Sequence, residues 1–260
     1  MQSSRGMFYT DTGGNGPTIL FIHGWGVCTR YFDEVTELLD GVRCIAVDLP
    51  GFGQSLSLGK DVPCRPPEMA AVVHDLIVEL GIHPVICGHS MGGMVTQEIA
   101  LGYPDDLVGA ILMDTSARPK DERNWMVLVP LSPLMYLFGF RPCMRWFAKR
   151  YAVNKKMTPE RGIRLLNEIV TNNLKWRLRG CIKGMVGWSS VDRLKDIKAP
   201  TLIIHGDLDM MLQLHHSDVL LENIPGSRRI VMKGCGHSPT IERPRKTASA
   251  IREFVEGIEP

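Results

Sequence analysis

The chain carries no C-x-x-C pair, and its seven cysteines are scattered and odd in number. That excludes a paired disulfide framework and a zinc ribbon, and it implies reduced thiols in a cytoplasmic protein. Long hydrophobic runs are also missing. The most apolar window, 125–140, is broken by Pro130 and Pro133, too short and too interrupted to cross a bilayer. No apolar segment follows Met1-Gln2-Ser3-Ser4-Arg5, so neither a signal peptide nor a membrane anchor is expected. Glycine-rich nucleotide loops, flavin fingerprints and metal-ligand clusters are absent from the sequence. The expectation is an activity with no cofactor, no metal and no nucleic-acid partner.

What is present is a net charge of only +2, unevenly spread. Residues 118–198 hold 18 Lys+Arg and 6 Asp+Glu, leaving 12 basic and 22 acidic residues elsewhere. Two regions of opposite sign within 260 residues imply two structural units. Hydropathy draws the same boundary. Apolar runs at 7–10, 18–22, 43–47, 84–87, 107–113, 201–205 and 229–232 read as strands, and amphipathic runs at 27–39, 68–80, 91–103 and 245–256 read as helices. Gly13-Gly14-Asn15-Gly16 reads as the turn of a hairpin joining the first two strands. Such alternation implies an α/β fold, a mostly parallel sheet with helices on both faces. The alternation stops between Asp114 and Pro200, where only helices are expected, at 124–129, 142–151, 159–172 and 174–186. The expected division is a core of residues 1–114 and 200–260 with a helical cap, 115–199, lying over the carboxyl ends of the strands.

The chemistry centres on Gly88-His89-Ser90-Met91-Gly92-Gly93, between an expected strand and an expected helix. Gly88, Ser90 and Gly92 fit G-x-S-x-G, a sharp turn whose small residues let a strained serine project its hydroxyl from the sheet. The helix that follows turns its unpaired N–H groups and positive dipole end toward the same point. Three more loops leave the carboxyl ends of strands, where parallel sheets gather their reactive groups. His23-Gly24-Trp25-Gly26 has the small residues and backbone N–H groups that an oxyanion hole needs. The other two are Gly206-Asp207-Leu208-Asp209 and Gly234-Cys235-Gly236-His237. A serine hydroxyl needs a base, and the base needs an acid to fix its tautomer. Ser90, Asp209 and His237 occur in a suitable order, with Asp207 and Asp114 as alternative acids. His23 and His89 are expected to bond backbone around these loops, and His215-His216 to begin a surface helix.

In these segments the sequence resembles the α/β-hydrolase fold family of serine hydrolases, over essentially its whole length. Asp48-Leu49-Pro50-Gly51-Phe52-Gly53 and Gly236-His237, with Glu242 and Pro244, add to the likeness. The resemblance implies a sheet of seven or eight strands. It also implies Ser90 as nucleophile, His237 as general base and then acid, Asp209 as its orienting partner, and the backbone N–H groups of Trp25 and Met91 as the oxyanion hole. The family often places a proline shortly after the acid; here Met210-Met211-Leu212-Gln213 follows, which leaves the geometry around Asp209 open. Serine at the elbow separates the chain from the dehalogenase and epoxide hydrolase branches, which use a carboxylate.

The reaction this implies is carboxylic ester hydrolysis through an acyl-enzyme, on a small-molecule ester or acyl substrate. Trp125, Met135, Phe138 and Trp146 are expected to meet its apolar part, unless they serve only to hold the cap together. The basic cap and the loop motifs are similar to those of the pimeloyl-[acyl-carrier-protein] methyl ester esterases, which implies an acidic protein carrier docking there. Carbon–carbon bond hydrolysis, lactone opening and perhydrolysis are alternatives on the same residues. A non-catalytic receptor that uses the fold only to bind is the alternative from another class.

Overall fold

The computed structural model describes residues 1–3, 5–62, 64–119, 139–170 and 175–258. Seven strands form one sheet: β1 (Tyr9–Asp11), β2 (Thr18–Ile22), β3 (Arg43–Val47), β4 (Val85–His89), β5 (Gly109–Met113), β6 (Thr201–Gly206) and β7 (Arg228–Met232). Their order is β1-β3-β2-β4-β5-β6-β7. All neighbours are parallel except β1, which runs antiparallel to β3 with Tyr9 opposite Val47. The central strands are buried on both faces, which explains their continuous apolar sequences.

The expected hairpin between the first two strands does not form. Ile19 to Ile22 are fully buried, so β2 belongs in the middle of the sheet, flanked by β3 and β4. The partly exposed β1 suits an edge, and it is pinned to β3 by the Arg43–Asp11 ion pair at 2.7 Å and by the Cys44 N–H on Thr12 Oγ1 at 2.9 Å. The helix expected over 27–39 is shorter than its pattern. A 3-10 turn at Thr29–Phe32, where Asp48 Oδ1 accepts the Thr29 N–H at 2.7 Å, precedes one helical turn, α1 (Asp33–Thr36). The next helices, α2 (Pro66–Leu80) and α3 (Met91–Gly102), lie close to their expected bounds.

Among the described residues, three α-helices lie between β5 and β6: α4 (Phe140–Phe147), continuing as a π-helical turn through Ala152, then α5 (Glu160–Ile169) and α6 (Lys175–Val186). No strand occurs there among the described residues, and the helix expected at 124–129 lies outside them. Part of the basic surplus of this interval is tied to groups of the core. Arg161 pairs with Glu34 and Glu37 at 3.4 Å each, and Arg193 takes both oxygens of Glu98 at 3.0 and 2.6 Å. Arg177, fully buried, donates to the carbonyls of Pro50, Gly59 and Val62 at 2.9, 3.1 and 2.6 Å.

The chain ends in α7 (His215–Asn223), α8 (Pro239–Glu242) and α9 (Pro244–Glu256). His216 is not on the surface as expected. It is buried, with its Nδ1 3.0 Å from Ser116 Oγ. No helix of the described residues is long and apolar enough to cross a membrane.

The topology itself locates a crevice. From β2 the chain moves one way along the sheet to β3, whereas from β4 it moves the other way to β5. Right-handed crossovers then put α1 and α3 on opposite faces. The adjacent carboxyl ends of β2 and β4 form the switch point where open α/β sheets bind ligands. The loops that leave these two strands carry Trp25 and Ser90.

Candidate active site

Ser90 joins β4 to α3 with φ 53° and ψ −116°. Among the described residues only Ser90 and Asp114 combine a side chain with positive φ, a conformation that persists only where surrounding contacts enforce it. Here the Ser90 N–H donates to the Met113 carbonyl at 2.9 Å, and its own carbonyl accepts Thr115 Oγ1 at 2.7 Å. The flanking glycines are a steric need. A Cβ at Gly88 would lie 2.3 Å from the Gly92 carbonyl oxygen, and one at Gly92 would lie 2.1 Å from that of Ile22. Met91 follows as the first residue of α3, where a backbone N–H has no acceptor within its own helix. The Trp25 loop closes over the same spot: a Cβ at Gly24 would stand 3.1 Å from Ser90 Cβ.

Asp209 and His237 meet across the ends of β6 and β7. The His237 Nδ1 to Asp209 Oδ2 distance is 2.6 Å, with both side chains buried. The other carboxylate oxygen, Oδ1, accepts the N–H groups of Met211 and Leu212 at 2.7 and 3.0 Å. This turn, made by the aspartate's own side chain, fixes the carboxylate without a following proline. A carboxylate that accepts at Nδ1 leaves the lone pair of the ring on Nε2. Asp207 is engaged elsewhere, accepting the Gly234 N–H at 2.7 Å, which steadies the loop that carries His237. Glu242 holds the same loop by accepting from Gly236, Ser238 and Asn154 at 3.0, 3.1 and 2.8 Å.

Behind this pair lie two buried groups. Asp114 Oδ1 accepts the Gly206 N–H at 2.8 Å, while burial first and the neighbouring Asp209 second push its carboxyl well above the usual range. His205 bonds the Leu212 carbonyl at 2.8 Å, and burial pushes its imidazole down. Both shifts disfavour the charged forms beside Asp209. His23 lies between the Gly24 carbonyl at 2.7 Å and the Leu49 N–H at 3.0 Å. His89 bonds the His237 carbonyl at 2.7 Å and stacks on Tyr31 at 4.4 Å. Burial, with His237 nearby, pushes His89 well below the usual imidazole range.

Among the described residues, two trios have donor atoms close enough to suit a cation, namely His89, Asp114 and His237, and Asp114, His205 and Asp209. Each shares a member with the 2.6 Å Asp209–His237 contact.

Ser90, His237, Trp25 and His89 line one narrow cavity of about 40 Å³, walled by Tyr31, Met144, Phe147, Leu166, Val170 and Met211. Trp146 does not contribute to this wall, contrary to expectation. It is 51% exposed and packs edge-on against Tyr151, since its neighbours Met144 and Phe147 occupy the inward face of α4. Trp125, Met135 and Phe138 lie outside the described residues. Tyr31 went unnoticed in the sequence because its segment reads only as an amphipathic helix. Met144 and Phe147, apolar residues of the cap that the sequence also offers for an acyl chain, do line the cavity.

The sequence model of the alpha/beta hydrolase family matches residues 19–250. The chain belongs to that family. A pimeloyl-[acyl-carrier protein] methyl ester esterase of Aromatoleum aromaticum is 27% identical, covering 94% of this chain and 100% of the relative. Lipase 3 of a Moraxella species is 26% identical over 94% of this chain and 78% of its own length. A thermophilic esterase from Thermogutta terrifontis superposes with a TM-score of 0.85 at 25% identity, covering 99% and 97% of the two chains.

Proposed function

We propose that this carboxylic ester hydrolase works by two-step acyl transfer on Ser90. The Ser90 oxygen attacks the ester carbonyl as His237 Nε2 takes its proton. The N–H groups of Trp25 and Met91 hold the oxyanion, and His237 returns the proton to the departing alcohol. A water that gives its proton to His237 then releases the acid and restores the hydroxyl. Asp209 keeps the imidazole in the required tautomer, and residues 115–199 act as the cap that closes the site. The observation that carries this reading is the 2.6 Å Asp209–His237 contact, with His237 and the strained Ser90 facing one cavity.

Cavity size favours small acyl groups. About 40 Å³ corresponds to only about three water-sized positions, and the surrounding Trp25, Met144, Phe147 and Leu166 are apolar. A panel of p-nitrophenyl esters tests this. Acetate to butyrate should be cleaved with kcat/KM at least about tenfold above laurate, a step that one or two misfitted methylenes can supply. Ser90→Ala should abolish all of it. A laurate preference would contradict the size argument, and turnover by Ser90→Ala would contradict the mechanism.

A second reading has an observation of its own. A groove beside Asp209 is lined by Lys149, Arg150, Lys155 and Lys156, and relatives bear the name of an esterase acting on a carrier-bound substrate. In this reading an acidic carrier presents the ester, and its association weakens steeply with salt. Salt-independent binding of an acidic carrier protein, or none, would count against it.

A further inference from the structure

The loop entering α2 meets the inserted helix α6 through two cysteines. Cys64 is half-buried and Cys181 is fully buried. Cys64 Sγ lies 3.6 Å from the carbonyl oxygen of Arg177, and helical geometry places residue 181 one turn further along the same face. The helix approaches this closely because glycines face the loop. A Cβ at Gly180 would stand 3.2 Å from Cys64 Sγ, and one at Gly184 would overlap the Cys64 carbonyl oxygen at 1.8 Å.

The neighbouring Cys181 side chain pulls the Cys64 thiol below its ordinary value against the effect of burial, with help from the Arg177 guanidinium, while Cys64 and burial push the Cys181 thiol up. Other thiols are driven the opposite way by burial: Cys28 up to about 12, Cys44 up to about 11, and Cys87 and Cys235 also upward. A lowered thiol and access favour reaction at a cysteine, and Cys64 is both lowered and only half-buried.

We propose that Cys64 and Cys181 form a reversible dithiol–disulfide site that locks α6 to the loop before α2, with a low-molecular-weight disulfide such as oxidised glutathione as its oxidant. The Cys64 thiolate attacks one sulfur of the disulfide, forming a mixed disulfide and releasing one thiolate. The Cys181 sulfur then attacks Cys64 Sγ, closes the protein disulfide and releases the second thiolate. The two protons lost by the cysteines end on the two small thiols, so the protein is oxidised by two electrons and the small disulfide is reduced by two. The lock reaches the cavity. Leu178, on the same turn of α6, accepts the Trp25 indole N–H at 2.9 Å, and Trp25 lines the cavity beside Ser90. Formation of the cross-link is independent of the hydrolytic reading; only its effect on turnover rests on that reading.

The test treats the reduced full chain with oxidised glutathione, blocks residual thiols and maps peptides by mass spectrometry. The expected result is a chain lighter by two hydrogens, with one linked peptide joining residues 64 and 181 that dithiothreitol reverses. The link closes a loop of about 120 residues, so Tm should rise by about 5–15 °C on oxidation. Cys181→Ser should stop at a glutathione adduct on Cys64, and Cys64→Ser should form neither species. Wild-type mapping decides the matter even where Cys181→Ser does not fold. A persistent adduct on Cys64 in the wild type, a link between other cysteines, or no reaction would each overturn the proposal.

Discussion

Replacing Asp209 by asparagine separates the orientation of His237 from the architecture of its loop. Oδ1 of Asp209 accepts two backbone N–H groups, at 2.7 and 3.0 Å, and Oδ2 accepts His237 Nδ1 at 2.6 Å. In Asp209→Asn the amide oxygen must take the first position, because an NH2 group there would face two donors. The NH2 then faces Nδ1, which has to accept, and the ring proton moves to Nε2. The lone pair meant for the Ser90 proton is lost. The expected loss in kcat is about 10⁴-fold, or about 5 kcal/mol of transition-state stabilisation, with little change in KM. Both backbone bonds survive, so Tm should move by less than about 3 °C. Asp209→Ala should lose similar activity but also the turn, lowering stability by about 1–3 kcal/mol. Steady-state hydrolysis of p-nitrophenyl acetate and thermal melts read both quantities, with Asp207→Asn as the control. If Asp209→Asn keeps more than about a tenth of kcat, or Asp207→Asn loses as much, the tautomer argument fails.

Three further outcomes follow from neighbouring contacts. Gly24→Ala would put a methyl 2.8 Å from His89 Nδ1 and 3.1 Å from Ser90 Cβ; kcat/KM should fall about 10–100-fold in a chain that still folds, and an unchanged kcat/KM would contradict this crowding. Arg177→Met removes three donations to carbonyls from a fully buried position. It should cost about 3 kcal/mol, lowering Tm by about 10 °C, and a Tm within about 2 °C of wild type would show that the clip carries little. His23, His89 and His205 are all pushed below their usual 6.5 by burial. Above pH 6.5 their neutrality costs nothing; below it the unfolded chain takes up protons that the folded chain refuses, so stability falls by up to about 4 kcal/mol per pH unit. Asp114 and Glu242, pushed up by burial, oppose this and reduce the slope. Denaturant midpoints should therefore drop from pH 7.5 to 5.5, and a flat or rising profile would contradict that balance.

Strands at the centre of the sheet were legible to the residue, as at Thr18–Ile22 and Arg43–Val47, because burial on both faces writes an unbroken apolar run. The elbow was legible because crowding around Gly88 and Gly92 excludes any side chain. Pairing was less legible. Nothing local distinguishes a β1 that turns back on β2 from one that skips to β3, since the choice is set by the burial of β2 between two parallel neighbours. Orientation on the inserted helices was the least legible. Trp146 faces solvent and Arg177 is buried, the reverse of what hydropathy alone suggests, because the guanidinium finds carbonyls in a loop more than a hundred positions earlier.

The central claim is that Ser90 becomes acylated with His237 as its base. The most direct measurement is fluorophosphonate labelling of the folded protein followed by peptide mapping. One adduct on Ser90 is predicted, absent from Ser90→Ala and slowed at least about 10³-fold in His237→Ala. No adduct, or an adduct on another residue that persists in Ser90→Ala, would contradict it.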